Sequence, residues 1–592
     1  MASPNTNTLP LAVKRVRIWY GILVLVVAVF GVRLFYIQII NHDHYRAAAL
    51  SDQLKQYQIS PTRGLIEAHE GYNAVPIVLN QQLYTVYTDP TYVKDSNKLA
   101  GKVAAIIGGQ PDKYAALMST KNTRYVVLAK RVNANQNKKL LALGEPGLGT
   151  QEQDYRVYPQ GSLGSQLLGF VDDGNIGRYG IEQALNKQLA GKAGQVKAVT
   201  DVNGVPLAAS KGNIQKPPVN GSNILTSIDL SMQAQMEKIL HDEFTKTKSH
   251  GLSAVIMDPN TGKIKAMANY PTYDPSNYQS VNNPKLYQNS VVSNAIEPGS
   301  SMKVMTTAAA LDQGIIQPNT TFYDPAHWVV DGFNITDIEE DGGPRQQSIA
   351  SLLNLSLNTG ATWLLMQMGG GQINSKARSA WYDYMTKHFR LGQPTGIEQG
   401  YEAVATVPPP QDNGAAINLT YANTAFGQAL EITALQEAAA DSSILNGGTY
   451  YQPSLIDQFI SSDGQINKVT PKVIQKNVVS AKVSQEMVPL MEYVVQQHFA
   501  QGFGYLNFDS KYAVGGKTGT AQVAKPGGGY YTDRYNGTYA GFVGGEKPQY
   551  VIVIFNIEPG VAGYAGSNGG QPVFADLAHM LIDNSYVIPK KQ

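Results

Sequence analysis

Near the N terminus, apolar positions form one long run in which no helical face is polar. The run covers Ile18–Val32 without a charge and continues over Leu34–Ile40 beyond Arg33. A helix needs roughly 20 residues to cross a bilayer, and residues 18–40 supply 23. An arginine near the end of such a helix can extend its side chain to the interface. The pattern predicts a single transmembrane helix over residues 18–40.

The charges beside this run predict its orientation. Lys14, Arg15 and Arg17 lie on its N-terminal side, and positive charge collects on the cytoplasmic side of membrane helices. We therefore expect a cytoplasmic tail over residues 1–17 and an extracytoplasmic location for the rest of the chain. A cleaved signal peptide is the alternative, because small residues follow at Ala47–Ala49. The run is long for a signal peptide, however, and polar residues separate it from those alanines.

After the apolar run, short strand-like and helical patterns alternate and glycines are frequent. Tyr84–Val86 has the pattern of a strand and Lys98–Ile107 that of a helix. Residues 211–223 then collect lysine, glycine and proline, a composition typical of a linker. We predict a mixed α/β domain over residues 41–210, a linker over 211–223 and a second domain over 224–592.

In the second domain, strand-like segments lie at both ends and helical segments lie between them. This order predicts an α+β fold in which the first and last strands pair within one sheet. The strand-like segments are Ile224–Asp229, Ala254–Met257, Ile264–Ala268 and Tyr550–Ile557, and the clearest helical ones are Leu230–Phe244 and Val573–Ile582.

Composition and charge exclude several functional classes. Among 592 residues, 47 basic and 45 acidic side chains leave a net charge of +2, so nucleic-acid binding through phosphate neutralisation is not expected. Cysteine is absent, which excludes disulfides, thiolate metal sites and a cysteine nucleophile. The nine histidines include no HExxH motif. We expect neither a metal nor a cofactor.

A serine and a lysine three residues apart provide the first candidate chemistry. Ser300 follows a Pro-Gly pair and precedes the helical stretch Val304–Asp312, so it lies at or near a helix N terminus. Residues three apart share one helix face, and the Lys303 amine can therefore reach the Ser300 hydroxyl. A lysine with a lowered pKa can take the proton of a serine and make it a nucleophile. Such a pair also arises by chance, and a solvated helix start is the alternative.

A second segment, at residues 356–358, places another hydroxyl beside a carboxamide. Ser356 and Asn358 follow the apolar helical stretch Ile349–Leu355. We therefore expect the hydroxyl and the carboxamide to lie together at the end of this helix.

A third segment, Lys517–Thr520, follows a strand-like stretch. Within it, Gly519 would let another backbone approach closely. A phosphate-binding loop is the alternative interpretation, because the last three residues of that motif match Gly516, Lys517 and Thr518. That motif requires a glycine where this chain has Lys511, so nucleotide binding is not expected.

The order of the three segments, Ser-x-x-Lys, Ser-x-Asn and Lys-Thr-Gly, is the motif set of penicillin-binding proteins and class A β-lactamases. The chain resembles class B penicillin-binding proteins, which are monofunctional peptidoglycan D,D-transpeptidases. Ala295–Lys303 is similar to the family segment around the nucleophile, and Lys517–Gln522 matches the third motif letter for letter. The resemblance implies one membrane helix, an elongated mixed α/β pedestal of the dimerisation type, and a transpeptidase domain with an antiparallel sheet flanked by helices.

Residues before the linker also resemble this family. Arg63-Gly64, Arg156 and Gly180-Ile181-Glu182 resemble its pedestal motifs, which serve structure and regulation rather than chemistry. The chain departs from the family pattern at Glu67–Glu70 and at Gly427–Ala429. These departures concern local pedestal contacts and one loop, not the reaction.

The resemblance implies an acyl-enzyme cycle. Ser300 would attack the D-Ala-D-Ala carbonyl of a stem peptide, D-Ala would leave, and the amine of a neighbouring stem would capture the acyl group. Lys303 would be the acylation base, Ser356 would pass a proton to the leaving amine, and Asn358 would hold the peptide amide. The implied catalytic residues are Ser300, Lys303, Ser356, Asn358 and Lys517, and the implied substrate-binding residues are Thr518, Gly519 and Thr520.

The same resemblance implies how the substrate is held. Lys517 and the hydroxyls of Thr518 and Thr520 would bind the terminal carboxylate. The backbone N–H groups of Ser300 and Thr520 would form an oxyanion hole.

The resemblance further implies partners and a location. The substrates would be stem peptides and lipid-linked nascent glycan, β-lactams would be covalent inhibitors, and a membrane glycosyltransferase and division proteins would be partners. The protein would be a single-pass protein of the bacterial cell membrane. Residues Asn536–Phe542 and Glu558-Pro559 favour the septal branch. The alternatives are an elongation-type transpeptidase, a D,D-carboxypeptidase or β-lactam hydrolase, a β-lactam sensor, and a non-catalytic scaffold.

Overall fold

The computed structural model describes residues 11–45, 54–199, 214–337, 343–411 and 416–591. The first ten residues of the predicted cytoplasmic tail and residues 211–213 of the predicted linker lie outside this part of the chain.

Strands occur throughout the described chain after the N-terminal helix. They are β1 (Leu54–Ile59), β2 (Ile66–Glu70), β3 (Asn73–Thr88), β4 (Val126–Val132), β5 (Leu148–Val157), β6 (Phe170–Val171), β7 (Gly177–Arg178), β8 (Gly194–Val199), β9 (Ile214–Lys216), β10 (Asn223–Asp229), β11 (Gly251–Met257), β12 (Ile264–Tyr270), β13 (Thr321–Asp324), β14 (His327–Val330), β15 (Phe333–Thr336), β16 (Arg345–Ser348), β17 (Tyr450–Tyr451), β18 (Ile456–Ile460), β19 (Ile466–Lys468), β20 (Val473–Gln475), β21 (Ala513–Ala524), β22 (Tyr530–Gly544) and β23 (Pro548–Ile557).

Helices separate many of these strands. The α-helices are α1 (Leu11–Phe35), α2 (Ser96–Ile107), α3 (Pro111–Met118), α4 (Ala134–Leu141), α5 (Ser165–Leu168), α6 (Gly180–Ala184), α7 (Asn186–Ala190), α8 (Leu230–Thr247), α9 (Ser290–Ser293), α10 (Lys303–Asp312), α11 (Ile349–Asn354), α12 (Asn358–Met368), α13 (Ser375–Asp383), α14 (Ile417–Ala425), α15 (Ala434–Leu445), α16 (Ala481–Ala500) and α17 (Gln571–Asp583). Short 3₁₀ turns cover Pro275–Ser280, Pro284–Tyr287, Gly299–Met302 and Gly504–Leu506, and π turns cover Tyr36–Ile40, Tyr384–His388 and Gly566–Gly570.

One compact unit combines Met1–Pro61 with Gly191–Asn220. It contains α1 and a sheet in the order β1-β8-β9. The helical segment Arg15–Ile40 is long and apolar enough to cross a membrane, and none of its most apolar window is buried. A helix with an apolar surface and no protein cover needs another apolar environment, which fits the predicted membrane helix.

The second unit, Thr62–Ala190 with Gly221–Gln592, contains a five-stranded sheet in the order β12-β11-β23-β22-β21. All of its neighbouring strands are antiparallel. The pairing of β11 with β23 joins an early and a late strand of the predicted domain. The first predicted strand, Ile224–Asp229 in β10, pairs instead with β2 and β18 in another sheet, so the expectation that the first and last strands pair is wrong. The predicted α+β fold with an antiparallel sheet is nevertheless confirmed.

Both faces of this sheet are covered by apolar side chains. Along β23, Val551, Val553 and Phe555 join one buried cluster, whereas Ile552 and Ile554 join another. This alternation follows from the two-residue period of a strand. The second cluster includes residues of α8 and α17, and the first includes residues of α10 and α15. The sheet is thus held between helical layers, and α10 begins beside its β21 edge.

A second sheet of the same unit joins distant parts of the sequence. Its order is β19-β18-β10-β2-β3-β4, and β5 pairs with β3. Strands β2 and β10 run parallel, and β10 also pairs with β18. Residues before and after the predicted linker therefore share one set of backbone hydrogen bonds. The domain limits drawn at residues 210 and 224 stay a prediction.

The pedestal-like motifs meet in a buried ion cluster. Nε of Arg63 donates to Oε2 of Glu182 at 2.7 Å, and Nε of Arg156 donates to Oε1 of the same carboxylate at 2.8 Å. Arg63 also donates to Oδ1 of Asn186 at 2.9 Å. All three charged side chains are buried. Removal of any one of these three charged side chains would leave a buried charge without its partner. The cluster therefore holds together the three segments that carry Arg63, Arg156 and Glu182.

Candidate active site

Ser300 lies in a tight turn directly before a helix. Pro298 precedes the 3₁₀ turn Gly299–Met302, which continues into α10. Gly299 has a φ of +63°, a backbone conformation that suits glycine. Ser300 lines a cleft next to the N terminus of α10, so its position agrees with the one that the local sequence predicts.

Lys303, the first residue of α10, is fully buried and its amine meets oxygens from two motifs. Its Nζ lies 3.0 Å from Oγ of Ser300, 2.8 Å from Oδ1 of Asn358 and 3.3 Å from Oγ of Ser356. It also donates to the backbone carbonyl of Ser356. The amine thus bridges the first and second motifs.

The second motif lies at the junction of two helices. Ser356 follows α11 and has a φ of +60°, whereas Asn358 is the first residue of α12. Nδ2 of Asn358 donates to the Thr336 carbonyl at 3.1 Å, which leaves its oxygen oriented toward Lys303. The carboxamide is therefore held at both ends.

Asp337 supports the same junction. The backbone N–H of Thr359 donates to Oδ1 of Asp337 at 3.0 Å, and the Thr359 hydroxyl donates to the other oxygen. The pKa of Asp337 is raised overall, because the effect of burial exceeds that of these hydrogen bonds and of the nearby Lys303, which lower it. A carboxyl thus lies within the electrostatic reach of the Lys303 amine.

Lys517 lies on the edge strand β21, paired with Ala540 of β22. The lysine is buried, and its Nζ lies 3.1 Å from the carbonyl oxygen and 3.3 Å from the hydroxyl oxygen of Thr518. A buried cation of this kind, adjoining an open cleft, can meet an anionic ligand.

Gly519 and Thr520 bring β21 against the nucleophile turn. A Cβ at Gly519 would lie 2.3 Å from the Pro298 carbonyl oxygen and 2.1 Å from Oγ1 of Thr538, so only glycine allows this approach. Beside it, the Thr520 hydroxyl accepts from the backbone N–H of Gly566 at 2.9 Å. The predicted close approach at Gly519 is observed.

One cleft joins the three motifs and has a volume of about 850 Å³. Its walls include five of the predicted site residues: Ser300, Ser356, Asn358, Thr518 and Thr520. Of the other three, Lys303 contacts Ser300 and Lys517 contacts Thr518, and Gly519 lies between Thr518 and Thr520 in the chain. The structure therefore brings all eight together, and their individual roles stay predictions.

His498 was missed by sequence reasoning. It lies near the end of α16, lines the cleft and is 8% exposed. Burial and the nearby Lys517 lower the pKa of His498 to about 4. The sequence signal was slight, since a single histidine near the end of a helix is compatible with any surface position.

Comparisons with known proteins agree with this geometry. The family model of the penicillin-binding protein transpeptidase domain matches residues 252–579, and the model of the penicillin-binding protein dimerisation domain matches residues 58–226. The chain belongs to the penicillin-binding protein family. Its resemblance to class B members is confirmed, and it contains a transpeptidase domain that includes all three motifs.

Several curated proteins are similar over most of the chain. It is 29% identical to stage V sporulation protein D of Bacillus subtilis, covering 96% of this chain and 85% of that protein. It is 30% identical to penicillin-binding protein PbpB of Mycolicibacterium smegmatis, covering 83% and 74% respectively. It is 26% identical to peptidoglycan D,D-transpeptidase FtsI of Escherichia coli, covering 94% and 89%.

Solved structures show the same fold. Penicillin-binding protein 3 of Mycobacterium tuberculosis in complex with aztreonam has a TM-score of 0.67 and 25% identity, covering 90% of this chain and 98% of that one. Penicillin-binding protein 2X of Streptococcus thermophilus has a TM-score of 0.71 and 23% identity, covering 90% and 80%. Together with the apolar helix, these relatives indicate a membrane-anchored penicillin-binding protein.

Proposed function

We propose that the protein is a serine-type peptidoglycan D,D-transpeptidase that works through an acyl-enzyme on Ser300. The observation that carries this proposal is the position of the Lys303 amine, 3.0 Å from Oγ of Ser300 and 2.8 Å from the Asn358 oxygen. A base within hydrogen-bond distance of a hydroxyl is the arrangement that nucleophilic catalysis requires. The names of the relatives support the choice of substrate.

In the first half-reaction, Oγ of Ser300 attacks the carbonyl carbon of the penultimate D-Ala. Lys303 takes the hydroxyl proton, the C–N bond to the terminal D-Ala breaks, and Ser356 passes a proton to the departing amine. Backbone N–H groups of Ser300 and Thr520 stabilise the oxyanion, and one such donor is typically worth about 3 kcal/mol in the barrier. The ester on Ser300 then awaits its acceptor.

In the second half-reaction, the amine of a neighbouring stem peptide attacks the ester. A new C–N bond forms, the C–O bond to Ser300 breaks, and Lys303 transfers a proton from the attacking amine to Oγ, so the cross-link is made and the serine is restored. Before the ester forms, Lys517 and the hydroxyls of Thr518 and Thr520 hold the carboxylate of the terminal D-Ala, which leaves in the first half-reaction; this is a charge-assisted contact. A β-lactam enters as a mimic of the donor and acylates Ser300.

Mass spectrometry tests the nucleophile directly. After treatment with a penicillin, the tryptic peptide that contains residue 300 should gain the mass of the drug, and Ser300→Ala should gain none. Ser301→Ala is the matched control, since Ser301 is buried and bonds to the Pro298 carbonyl at 3.1 Å. Labelling of folded Ser300→Ala would refute the proposal. Analysis of products from a stem-peptide donor, with and without an amine acceptor, distinguishes a transpeptidase from a carboxypeptidase.

We place this reaction outside the cell membrane, at the division septum. The basic residues before the apolar helix support an N terminus inside. The segments Asn536–Phe542 and Glu558-Pro559, which favour the septal branch, support the septal role. Because the chain has no cysteine, a single cysteine introduced on the exposed surface of the transpeptidase domain should react with an impermeant maleimide in whole cells. Depletion should block division while elongation continues, and the opposite phenotype would favour the elongation-type alternative.

A further inference from the structure

Glu297, three residues before Ser300 in the chain, joins two other segments to the nucleophile turn. Its Oε1 accepts from the backbone N–H of Ala429 at 2.8 Å and from the hydroxyl of Tyr530 at 2.8 Å. Its Oε2 is shielded from solvent and has no hydrogen-bond partner among the described residues. A single carboxylate oxygen therefore connects the segment that carries Ser300 to the loop of residues 427–429, which follows α14, and to the end of the β21–β22 hairpin.

The 427–429 loop also packs directly on the nucleophile turn. Gly299 donates its backbone N–H to the Gly427 carbonyl at 2.9 Å. A Cβ at Gly427 would collide with the Gly299 carbonyl oxygen, so the two backbones are in close contact. Gln428, the middle residue of the loop, lines the cleft. A displacement of this loop would therefore reach both Ser300 and the wall of the cleft.

Ala429 has a backbone conformation that alanine rarely adopts. Its φ is +57°, in the left-handed region, which is strained for a residue with a Cβ. A strained residue keeps such a conformation only where its surroundings hold it there, and the hydrogen bond to Glu297 is one such contact. The loop is also one of the two places where the chain departs from the family pattern. The carboxylate thus stabilises a loop conformation that the alanine itself disfavours.

The contact with the hairpin leads to a second part of the cleft wall. Tyr530 is the first residue of β22 and pairs with the last residue of β21. Nε2 of Gln522 donates to the carbonyl of Tyr531 at 3.3 Å, and Gln522 lines the cleft. Burial and the nearby Glu297 raise the pKa of Tyr530, so its hydroxyl keeps its proton and donates. Glu297 therefore has contacts leading to both the Gln428 and the Gln522 parts of the wall.

We propose that Glu297 is a positioning residue of the acylation reaction: its carboxylate holds the 427–429 loop and the end of the β21–β22 hairpin against the turn that carries Ser300. This inference rests on the proposed function. Glu297 does not itself line the cleft, so it acts through these neighbours. A misplacement of reacting groups by about 1 Å can cost about a hundredfold in rate. Loss of the carboxylate should therefore slow the acylation of Ser300, while the binding of the β-lactam changes little.

The test uses saturation kinetics of acylation by a fluorescent penicillin, with the full chain in detergent. Such kinetics separate the dissociation constant of the initial complex from the acylation rate constant. Glu297→Leu removes the acceptor of both hydrogen bonds and should lower the rate constant about tenfold or more, with the dissociation constant within about threefold of the wild type. Glu297→Gln keeps an oxygen acceptor and should recover most of this loss. Glu431→Gln is the matched control, because this exposed carboxylate lies two residues beyond Ala429 in the chain.

A second replacement tests whether the carboxylate acts through the conformation of the loop. Glycine adopts the left-handed conformation without strain, so Ala429→Gly combined with Glu297→Leu should acylate at least about threefold faster than Glu297→Leu alone. Ala429→Gly by itself should change the rate little, since the carboxylate already holds the loop. Equal rates of the double variant and Glu297→Leu would overturn the role of the loop. A wild-type rate constant in Glu297→Leu would overturn the whole proposal, as would a loss that Glu297→Gln does not recover.

Tyr530→Phe tests the contact with the hairpin and remains available if Glu297→Leu does not fold. It removes the hydroxyl but keeps the ring, and it should lower the acylation rate constant about threefold or more. Tyr531→Phe is its control, because the Tyr531 ring packs against the side chains of Lys525 and Arg534. A wild-type rate constant in Tyr530→Phe would overturn the role of the hairpin contact. Absence of label on the wild-type protein would instead refute the proposed function.

Discussion

At the scale of single residues, the two buried lysines of the cleft have different surroundings. Lys303 lies among the oxygens of Ser300, Ser356 and Asn358, where an amine can accept and return a proton. Lys517 lies on a strand beside the Thr518 hydroxyl, where a permanent cation can hold a carboxylate. The proposed function therefore assigns proton transfer to Lys303 and anion recognition to Lys517, because their neighbours differ.

Replacement of Lys517 should abolish the preference for a carboxylate. We expect Lys517→Met to lower the acylation rate with benzylpenicillin about tenfold to a hundredfold, the range expected for a lost hydrogen bond to a charged group. The rate with the methyl ester of the same drug should hardly change. Lys263→Met is the control, since Lys263 is a buried lysine that pairs with Asp457 at 3.2 Å and does not line the cleft. Equal losses with acid and ester would contradict the assigned role.

Sequence motifs predicted the site residues that have characteristic spacing, but not their supports. Ser300 and Lys303 could be paired because residues three apart share a helix face. Asp337 and His498 come from segments without such spacing, and only the folded chain brings them to Lys303 and Lys517. A side chain that acts by contact across the fold leaves no local pattern.

At the scale of elements, the cleft depends on the contact between β21 and the turn that carries Ser300. Gly519 has no side chain to separate the strand from Pro298. The geometry of the nucleophile is therefore coupled to the position of an edge strand rather than to the turn alone.

Gly519→Ala should damage catalysis more than stability. Its Cβ would meet the Pro298 carbonyl at 2.3 Å, so the strand or the turn must move, and a shift of that size can cost about a hundredfold in acylation rate. The rate of penicillin labelling provides the measurement. Gly504→Ala is the control, because no atom lies within 4 Å of its Cβ position. A Gly519→Ala protein that labels at the wild-type rate would exclude this coupling.

Elements with a strong local pattern were predicted well, and those formed by irregular sequence were not. The predicted strand Tyr550–Ile557 lies within β23, and the predicted helix Val573–Ile582 lies within α17. The full length of β22, Tyr530–Gly544, was not predicted, because its outer part is polar and lacks a clear alternation. Pairing with β21 stabilises that part. The sequence of β22 alone does not indicate which strand it pairs with.

At the scale of the whole molecule, stability should depend on a buried acidic pair. Glu437 and Asp441 lie one turn apart on α15 and are almost fully buried. Burial raises the pKa of Glu437 to about 7, although the nearby Ser301 lowers it slightly, and burial together with Glu437 raises the pKa of Asp441 well above its usual range. The folded protein therefore binds more protons than the unfolded chain above the ordinary carboxyl pKa.

The sign of the pH dependence follows from this difference. The free energy of unfolding should fall as the pH rises from about 4 to 7, because over this range the unfolded chain releases protons that the folded protein still binds. Replacement of the pair by Glu437→Gln and Asp441→Asn should flatten that decline and raise the melting temperature at pH 8 by a few degrees. Thermal unfolding at pH 5 and pH 8 measures both effects. The exposed Asp463→Asn is the control, and identical pH slopes in the wild type and the double variant would contradict the prediction.

The fold class was predicted from the order of strand and helix patterns, but the assembly of the second sheet was not. Its strands β2, β10 and β18 come from three distant parts of the chain. Long-range pairing depends on backbone hydrogen bonds that any sequence can make, so local patterns carry little information about it.

The parallel pairing of β2 with β10 bears on how the enzyme can be produced in pieces. A recombinant fragment that starts at Gly221 would lack β2 and would expose one side of β10 along its length. Open strand edges recruit other chains and promote aggregation. A soluble catalytic fragment should therefore retain the residues that supply β2, even though they contribute no group to the chemistry.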